Sequence, residues 1–353
     1  MKKLFYFFIK YMLYVYNFFY FKKIRIYGRE NIPKDGGILF SPNHQGAFLD
    51  PLLVGTFTPG QVTSLTRSDV FGGIFQWFMD ALKMLPVYRI RNGYANLKKN
   101  DATFARCYEL LSKKQHLLMF SEAGHHEEYF LLPLSKGSSR LAYTAQNQYP
   151  SQKMYLMPVG INYSHHHKPR CVLHLVFGKP IALQDYCNNG HTDPQNINAI
   201  RDDLQVAMKA CLWLPEDDQE YAERKKRINA CTSHNSFSDI KKALQKQDLS
   251  NLPLAKPRPF GIQFLIVVLS IPNGIPLFLI KKILGLFDDI VFYNSIKYGF
   301  GLVVFAIWWA IAFLAFYLVF NLLISIIFLI CSVGFLFIRQ YFIYRFDKIN
   351  RRN

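Results

Sequence analysis

Between Tyr298 and Ile338 the chain runs for 41 residues without one Asp, Glu, Lys, Arg or His. A helix needs about 20 apolar residues to cross the hydrocarbon core of a bilayer, so this stretch predicts two crossings. The expected shape is a helical hairpin turning near Asn321. A hairpin buried in a soluble core is the alternative, but helices apolar on every side normally face lipid. Lys297 flanks the stretch on one side, and Arg339, Arg345, Lys348, Arg351 and Arg352 flank it on the other. The positive-inside rule places both ends in the cytoplasm. Upstream, Ile262–Ile280 is also free of charge but carries Pro272, Asn273, Gly274 and Pro276. Such a segment predicts a re-entrant or interfacial element, because the backbone groups that Pro and Gly free need partners at membrane depth.

The N-terminus adds a second apolar region. Eleven aromatics stand between Phe5 and Phe21, with Lys2, Lys3, Lys22 and Lys23 on the flanks. That pattern predicts a helix lying at the headgroup level, where rings and lysines both find partners. Lys10 in its middle argues against a span, since a lysine at mid-bilayer is costly. No small-residue cleavage site follows, so the segment is expected to be retained. The net charge of +18 points to an anionic partner. With 51% hydrophobic and 16% aromatic residues, nucleic acid is excluded in favour of anionic lipid headgroups. Six cysteines without a CxxC pair predict free thiols in a reducing compartment.

Four regions follow: 1–23, an aromatic membrane-associated helix; 24–215, a folded domain; 216–259, a charged helical segment and linker; and 260–353, the C-terminal membrane region. Within 24–215, short apolar runs alternate with amphipathic stretches. Gly37–Ser41, Val62–Thr66, His116–Phe120, Met154–Val159 and Val172–Phe177 predict buried strands, with helices near 47–57, 94–113, 137–148 and 194–214. This alternation implies an α/β fold with a mostly parallel, mixed sheet flanked by helices. Residues 216–247 are expected to form a solvated helical excursion, and the three prolines of Leu249–Pro259 a linker.

Residues able to do chemistry cluster at the predicted strand ends, where α/β sheets bind ligands. Ser41-Pro42-Asn43-His44-Gln45-Gly46-Ala47-Phe48-Leu49-Asp50-Pro51 takes the first strand to its end at His44 and places Asp50 in the first turns of the next helix. A histidine held by a carboxylate is a general base for an attacking hydroxyl. Alone, such a pair is weak evidence, because a lone histidine is more often structural. Arg89 and Arg91 are two apart, so in an extended segment they share one face and make a fork for a phosphate. The alternative is a pair of solvated arginines. Arg67, at another strand end, is a third candidate phosphate ligand. Lys136 and Arg140 are weaker ones. Glu122 closes the strand His116–Phe120 and is expected to position an acceptor hydroxyl. His125-His126-Glu127-Glu128 and His165-His166-His167 lack any established ligand spacing, so solvated loop histidines and no metal are expected.

These segments resemble, in order, the blocks of the phospholipid/glycerol acyltransferase superfamily, which includes the 1-acyl-glycerol-3-phosphate acyltransferases. Tyr27-Gly28-Arg29-Glu30-Asn31-Ile32-Pro33 is similar to the family's lead-in, and Asn43-His44 with Asp50 to its catalytic His–Asp motif. Pro86-Val87-Tyr88-Arg89-Ile90-Arg91-Asn92-Gly93 resembles the second block, whose arginine helps to bind the acceptor phosphate. Phe120-Ser121-Glu122-Ala123-Gly124-His125 resembles the third, usually Phe-Pro-Glu-Gly, and Met157-Pro158-Val159-Gly160 the fourth. The chain departs from the common pattern with five residues between His44 and Asp50 in place of four. A similar longer spacing occurs in a subset resembling the fungal glycerol-3-phosphate/dihydroxyacetone-phosphate acyltransferases. Ser121 and Ala123 stand where the family has Pro and Gly.

The resemblance implies an O-acyltransferase of phospholipid biosynthesis, glycerol-3-phosphate acyltransferase-like or lysophosphatidate-directed. It implies no cofactor, with acyl-CoA or acyl-ACP as co-substrate, and the lipid bilayer, an acyl thioester donor and a phosphorylated glycerol acceptor as partners. His44 and Asp50 would be catalytic, and Arg89, Arg91, Glu122 and Arg67 would bind substrate. The expected setting is an integral membrane protein with this domain on the cytoplasmic face. Rival readings are another lysolipid acceptor such as a lyso-aminolipid, a metal-dependent membrane hydrolase and an inactive membrane scaffold.

Overall fold

A computed structural model describes residues 1–71, 76–88, 98–122, 124–187, 189–231, 235–246, 250, 252 and 256–347. Eight strands form one mixed sheet: β1 (Lys23–Tyr27), β2 (Gly37–Pro42), β3 (Val62–Arg67), β4 (Met84–Val87), β5 (His116–Leu118), β6 (Met154–Tyr163), β7 (Val172–Phe177) and β8 (Ile181–Ala182). Their order is β1-β7-β6-β2-β5-β3-β4, with β8 paired to β6. The run β6-β2-β5-β3-β4 is parallel, whereas β7 and β8 pair antiparallel with β6. All five strands read from the sequence form. β5 stops at Leu118, two residues short of the expected end, and β2 stops at Pro42 before His44.

Side chains alternate across β2, and each face finds a different layer. Ile38 and Phe40 pack with Leu49, Leu53, Val54 and Phe57 of α2 (Leu49–Phe57) and with Leu13 and Tyr20 of α1 (Lys2–Tyr20). Leu39 faces the other way, into a core built by α4 (Lys99–Ser112), α5 (Gly137–Gln148) and α6 (Asp193–Ala210). A further short helix, α3 (Gln76–Ala81), precedes β4. The result is a three-layer α/β/α domain with a central strand covered on both sides, which explains its uninterrupted apolar run. The charged segment is helical, as α7 (Tyr221–Cys231) and α8 (Phe237–Gln245), but it is not simply solvated. Tyr221, Ile228, Ile240 and Leu244 turn inward onto Tyr129 and Trp213 to make a small satellite core.

α1 is two-faced. Tyr6, Leu13, Asn17 and Tyr20 are buried, while Leu4, Phe8, Tyr11, Val15, Phe18 and Phe19 are exposed. Lys10 belongs to the inner side: its Nζ donates to the carbonyls of Thr58 at 2.6 Å and Gly60 at 2.7 Å. A cation at the end of α2 meets the unpaired carbonyls and the negative end of that helix's dipole. This accounts for a lysine in the middle of an aromatic helix.

α11 (Phe292–Val319) and α12 (Leu322–Arg345) are long and apolar enough to cross a membrane. They turn at Phe320–Asn321, where the Asn321 side chain caps α12 by accepting from Ile324 N at 3.0 Å. Before them, α9 (Phe260–Val268) and α10 (Gly274–Leu284), the latter preceded by the 3-10 turn Ile271–Asn273, form a pair bent by 51° at Leu269–Ser270. Arg258 Nη2 donates to the Phe346 carbonyl at 3.1 Å, and Arg339 Nε to Ser270 Oγ at 2.7 Å. Deeper along α12, Asn273 Nδ2 donates to the Ser332 carbonyl at 2.7 Å. Trp309 Nε1 donates to Asn273 Oδ1 at 2.9 Å, and Trp308 Nε1 to the Pro272 carbonyl at 3.0 Å. Seven residues of helix separate Ser332 from Arg339, roughly 10 Å at 1.5 Å per residue. The broken pair therefore starts beside the end of α12 and reaches inward to the level of Trp309, and the chain is back beside His125 at Asp289, before α11 begins. The polar groups at its break are satisfied by the hairpin, as non-helical backbone between apolar helices requires.

Candidate active site

The parallel strands β2, β5 and β3 end on one edge of the sheet, and the loop 43–48 leaves β2 there. Asn43 pins this loop to β6: its Nδ2 donates to the Ile161 carbonyl at 3.1 Å, and its Oδ1 accepts from Ile161 N at 2.7 Å. His44 follows, its ring stacked on Phe120 with centroids 3.8 Å apart. The loop then turns through Ala47 at φ 45, a left-handed residue that absorbs the five-residue spacing and brings Asp50 back to His44.

Asp50 is completely buried. Its Oδ2 lies 2.9 Å from His44 Nδ1 and accepts from Gln45 N at 2.9 Å and Gly46 N at 2.7 Å. Its Oδ1 accepts from the Tyr163 hydroxyl at 2.8 Å. Burial, and then the neighbouring Asp50 charge, hold Tyr163 well above the usual tyrosine range, so it is a donor. A carboxylate that accepts from three other groups is an acceptor for the ring as well. This assigns the proton to Nδ1 of His44 and leaves Nε2 with a free lone pair. The histidine side chain is 18% exposed.

Glu122 stands behind this pair. Its Oε1 accepts from His44 N at 2.7 Å, while Oε2 accepts from Leu132 N at 2.8 Å and lies 3.3 Å from His126 Nε2. Both oxygens are engaged and the side chain has no exposed surface. Expected from the sequence to position an acceptor hydroxyl, Glu122 here braces the backbone of His44. Arg67 ends β3 on the same edge, two strands from β2, roughly 10 Å at the usual strand spacing. It is exposed, and its guanidinium is forked onto Asp69 through Nε at 3.0 Å and through Nη2. As a phosphate ligand it would first have to leave that partner. Arg89 and Arg91 lie outside the described residues, as does Ala123. Ser121, where the resemblance expects Pro, places its hydroxyl 2.5 Å from both Ser41 Oγ and Ser138 Oγ.

The histidine-rich segments are not solvated loops. His166 is buried, with Nε2 3.2 Å from Gln45 Oε1, and burial above all drives it well below the ordinary histidine range. His167 Nε2 lies 2.6 Å from Glu127 Oε2. His125 Nε2 lies 2.8 Å from Asp289 Oδ2, and its ring meets that of His44 edge-on at 5.5 Å. These histidines form a wall behind and beside the His44 loop. Among the described residues no group of three His, Cys, Asp or Glu is placed to hold a metal ion. Sequence reasoning quoted Asn43 and Phe120 within its motifs but gave them no role, and it missed Tyr163 and Asp289, which carry no local signal.

Residues 23–162 match the family described as Acyltransferase. Glycerol-3-phosphate O-acyltransferase 1 of Saccharomyces cerevisiae is 28% identical over 117 residues, 33% of this chain and 15% of that protein. Glycerol-3-phosphate O-acyltransferase 2 of the same yeast is 32% identical over 90 residues, 26% of this chain and 12% of that protein. The chain thus spans a small fraction of these relatives. Among solved structures, the 1-acyl-sn-glycerophosphate (LPA) acyltransferase PlsC from Thermotoga maritima has a TM-score of 0.37 and 18% identity, covering 54% of this chain and 70% of that one. The match at residues 23–162 takes in β1 to β5, all of β6 but Tyr163, the His44–Asp50 pair and the Glu122 brace, and marks this part of the chain as an acyltransferase-family domain.

Proposed function

We propose that the chain is a membrane-bound O-acyltransferase that moves a fatty acyl group from a thioester, acyl-CoA or acyl-ACP, to a hydroxyl of a glycerol-phosphate acceptor. The observation that carries this reading is the buried Asp50, held by three donors and facing His44 Nδ1 at 2.9 Å. In this reading His44 Nε2 takes the proton of the acceptor hydroxyl as its oxygen attacks the thioester carbonyl carbon. The tetrahedral intermediate collapses with cleavage of the C–S bond, and the departing thiolate takes the proton back from Nε2. Asp50 steadies the imidazolium between the two steps. The five-residue His–Asp spacing and the yeast relatives both favour glycerol 3-phosphate over lysophosphatidate as acceptor.

Arg89 and Arg91 are assigned the acceptor phosphate, on their spacing and their block alone. Steady-state assays with acyl-CoA and glycerol 3-phosphate test this. Arg89→Ala or Arg91→Ala is expected to raise the acceptor KM at least about tenfold while the donor KM stays within twofold, since a guanidinium–phosphate contact is lost. Lysine at either position restores only part of the affinity, because it lacks the two-pronged geometry. A change confined to the donor KM would remove both arginines from the acceptor site. Thioester cleavage that ignores the acceptor would refute the transferase reading itself.

The orientation belongs to the same proposal. The positive flanks and the need for a cytoplasmic thioester place the domain and both ends of the α11–α12 hairpin on the cytoplasmic side. Because α9–α10 returns to the end from which it starts, it adds no crossing. On a cysteine-free background, single cysteines at Arg258 and at the exposed Leu286 should resist an impermeant thiol reagent in intact cells. One at Asn321 should react. Reaction at 258 and 286 from opposite sides would make α9–α10 a span and overturn this topology.

A further inference from the structure

The family match stops at residue 162, yet the loop that carries the His–Asp pair is held from far outside it. Gly46–Leu49 is a tight turn closed by its own bond, Leu49 N to the Gly46 carbonyl at 2.9 Å. Ala47, inside that turn, takes a left-handed conformation uncommon for a residue with a Cβ. Ser295, in the first turn of α11, lies against this bond with its side chain buried. Its Oγ donates to the Gly46 carbonyl and accepts from Leu49 N at 3.0 Å. Gly46 N is itself a donor to Asp50, and Leu49 precedes Asp50 directly. The hydroxyl thus grips the peptide groups on both sides of the turn that decides where the carboxylate sits.

Neighbouring contacts anchor the start of α11. Asn294 Oδ1 accepts from the Tyr20 hydroxyl at 2.5 Å, the Tyr298 hydroxyl donates to Asn17 Oδ1 at 2.8 Å, and Lys297 Nζ donates to the His167 carbonyl at 2.8 Å. Phe292 meets Phe48 at 5.5 Å and His125 at 5.2 Å between ring centroids. The start of α11 is therefore wedged among α1, the loop before β7 and the turn after His44.

We propose that Ser295 is a positioning residue for the His44–Asp50 pair, so that the C-terminal hairpin completes an active site whose acid and base both lie in the N-terminal domain. The proposal rests on the acyltransferase reading above and deepens it. The positioning is of the base against the acceptor hydroxyl, so its loss belongs in turnover and not in substrate affinity.

The test compares the full-length chain in membranes with Ser295→Ala, Ser295→Cys and Ser295→Thr, together with Asn294→Ala, which loosens the same helix from α1 without touching the turn. Ser295→Ala should lower kcat at least about tenfold with both KM values within twofold of the parent. Ser295→Cys, which fills the same space but bonds weakly, should follow it, and Ser295→Thr should recover at least half of the parent kcat. Asn294→Ala should lower thermal stability with kcat within threefold of the parent. Full kcat in both Ser295→Ala and Ser295→Cys overturns the proposal. So does a loss shared equally by Ser295→Thr and Asn294→Ala and tracking thermal stability, which would make Ser295 a packing residue only. Absence of acyl transfer in the parent chain would instead show that the underlying reading has failed.

Discussion

Replacing His44 with alanine is expected to lower acyl transfer by a hundredfold or more, about the contribution of a positioned general base. The ring lies partly open at the sheet edge, so the space it leaves is reached by water, and the loss of activity should far exceed any shift of the thermal midpoint. Among the described residues no second group stands in the same place: Glu122 is shut away behind the backbone, and His125 meets the ring only edge-on. Asp50→Asn should approach the same loss. Asparagine has one acceptor oxygen where the carboxylate has two, and its amide would face N–H or O–H donors that now point at Asp50 from four groups. A His44→Ala protein with turnover near the parent's would end the mechanism.

Gly46→Ala is expected to be nearly as damaging for a reason visible only in three dimensions. A Cβ at this position would stand 2.6 Å from Asp50 Oδ1 and 2.9 Å from the Tyr163 hydroxyl. Neither atom can yield easily, since both are buried and bonded to one another. Either the carboxylate swings off His44 or the loop lifts from β6. Overpacking of this kind costs about 1–3 kcal/mol, and either outcome misplaces the base, so a loss of activity beyond about tenfold should accompany a lower thermal midpoint. Gly46→Ala with unchanged activity and unchanged melting would mean that Asp50 does not sit where it is described.

The two largest features were legible in the sequence because each rests on local pattern. Forty-one uncharged residues dictate a hairpin whatever surrounds them, and its turn falls at Asn321, a residue suited to cap a helix. The central strands announced themselves by being apolar on both faces. The edges did not. β1 reads Lys-Ile-Arg-Ile-Tyr, charged on one side, and β4 contains Pro86, which suits a strand at the sheet's edge. At the site, residue chemistry could be read but partnership could not. Glu122 is a carboxylate at a strand end whether it binds a substrate or a backbone N–H, and only the fold shows that both its oxygens are engaged. Tyr163 and Ser295 reach Asp50 and its turn across 113 and 246 residues of sequence, and nothing near either one marks it. Lys10 shows the same limit in the other direction. Taken alone it reads as a charge to be kept out of a bilayer, and in the fold it is the cap on α2.

Membranes carrying the full chain should be incubated with a labelled acyl thioester, presented as acyl-CoA and as acyl-ACP. Glycerol 3-phosphate, lysophosphatidate and a lyso-aminolipid are supplied in turn as acceptors, and the labelled product is identified in each case. The expected result is an O-acylated glycerol phosphate, greatest with glycerol 3-phosphate, that requires the acceptor and vanishes in His44→Ala. Label appearing as free fatty acid whatever the acceptor, or the same acylated lipid formed equally by His44→Ala, would contradict transfer by the His44–Asp50 pair.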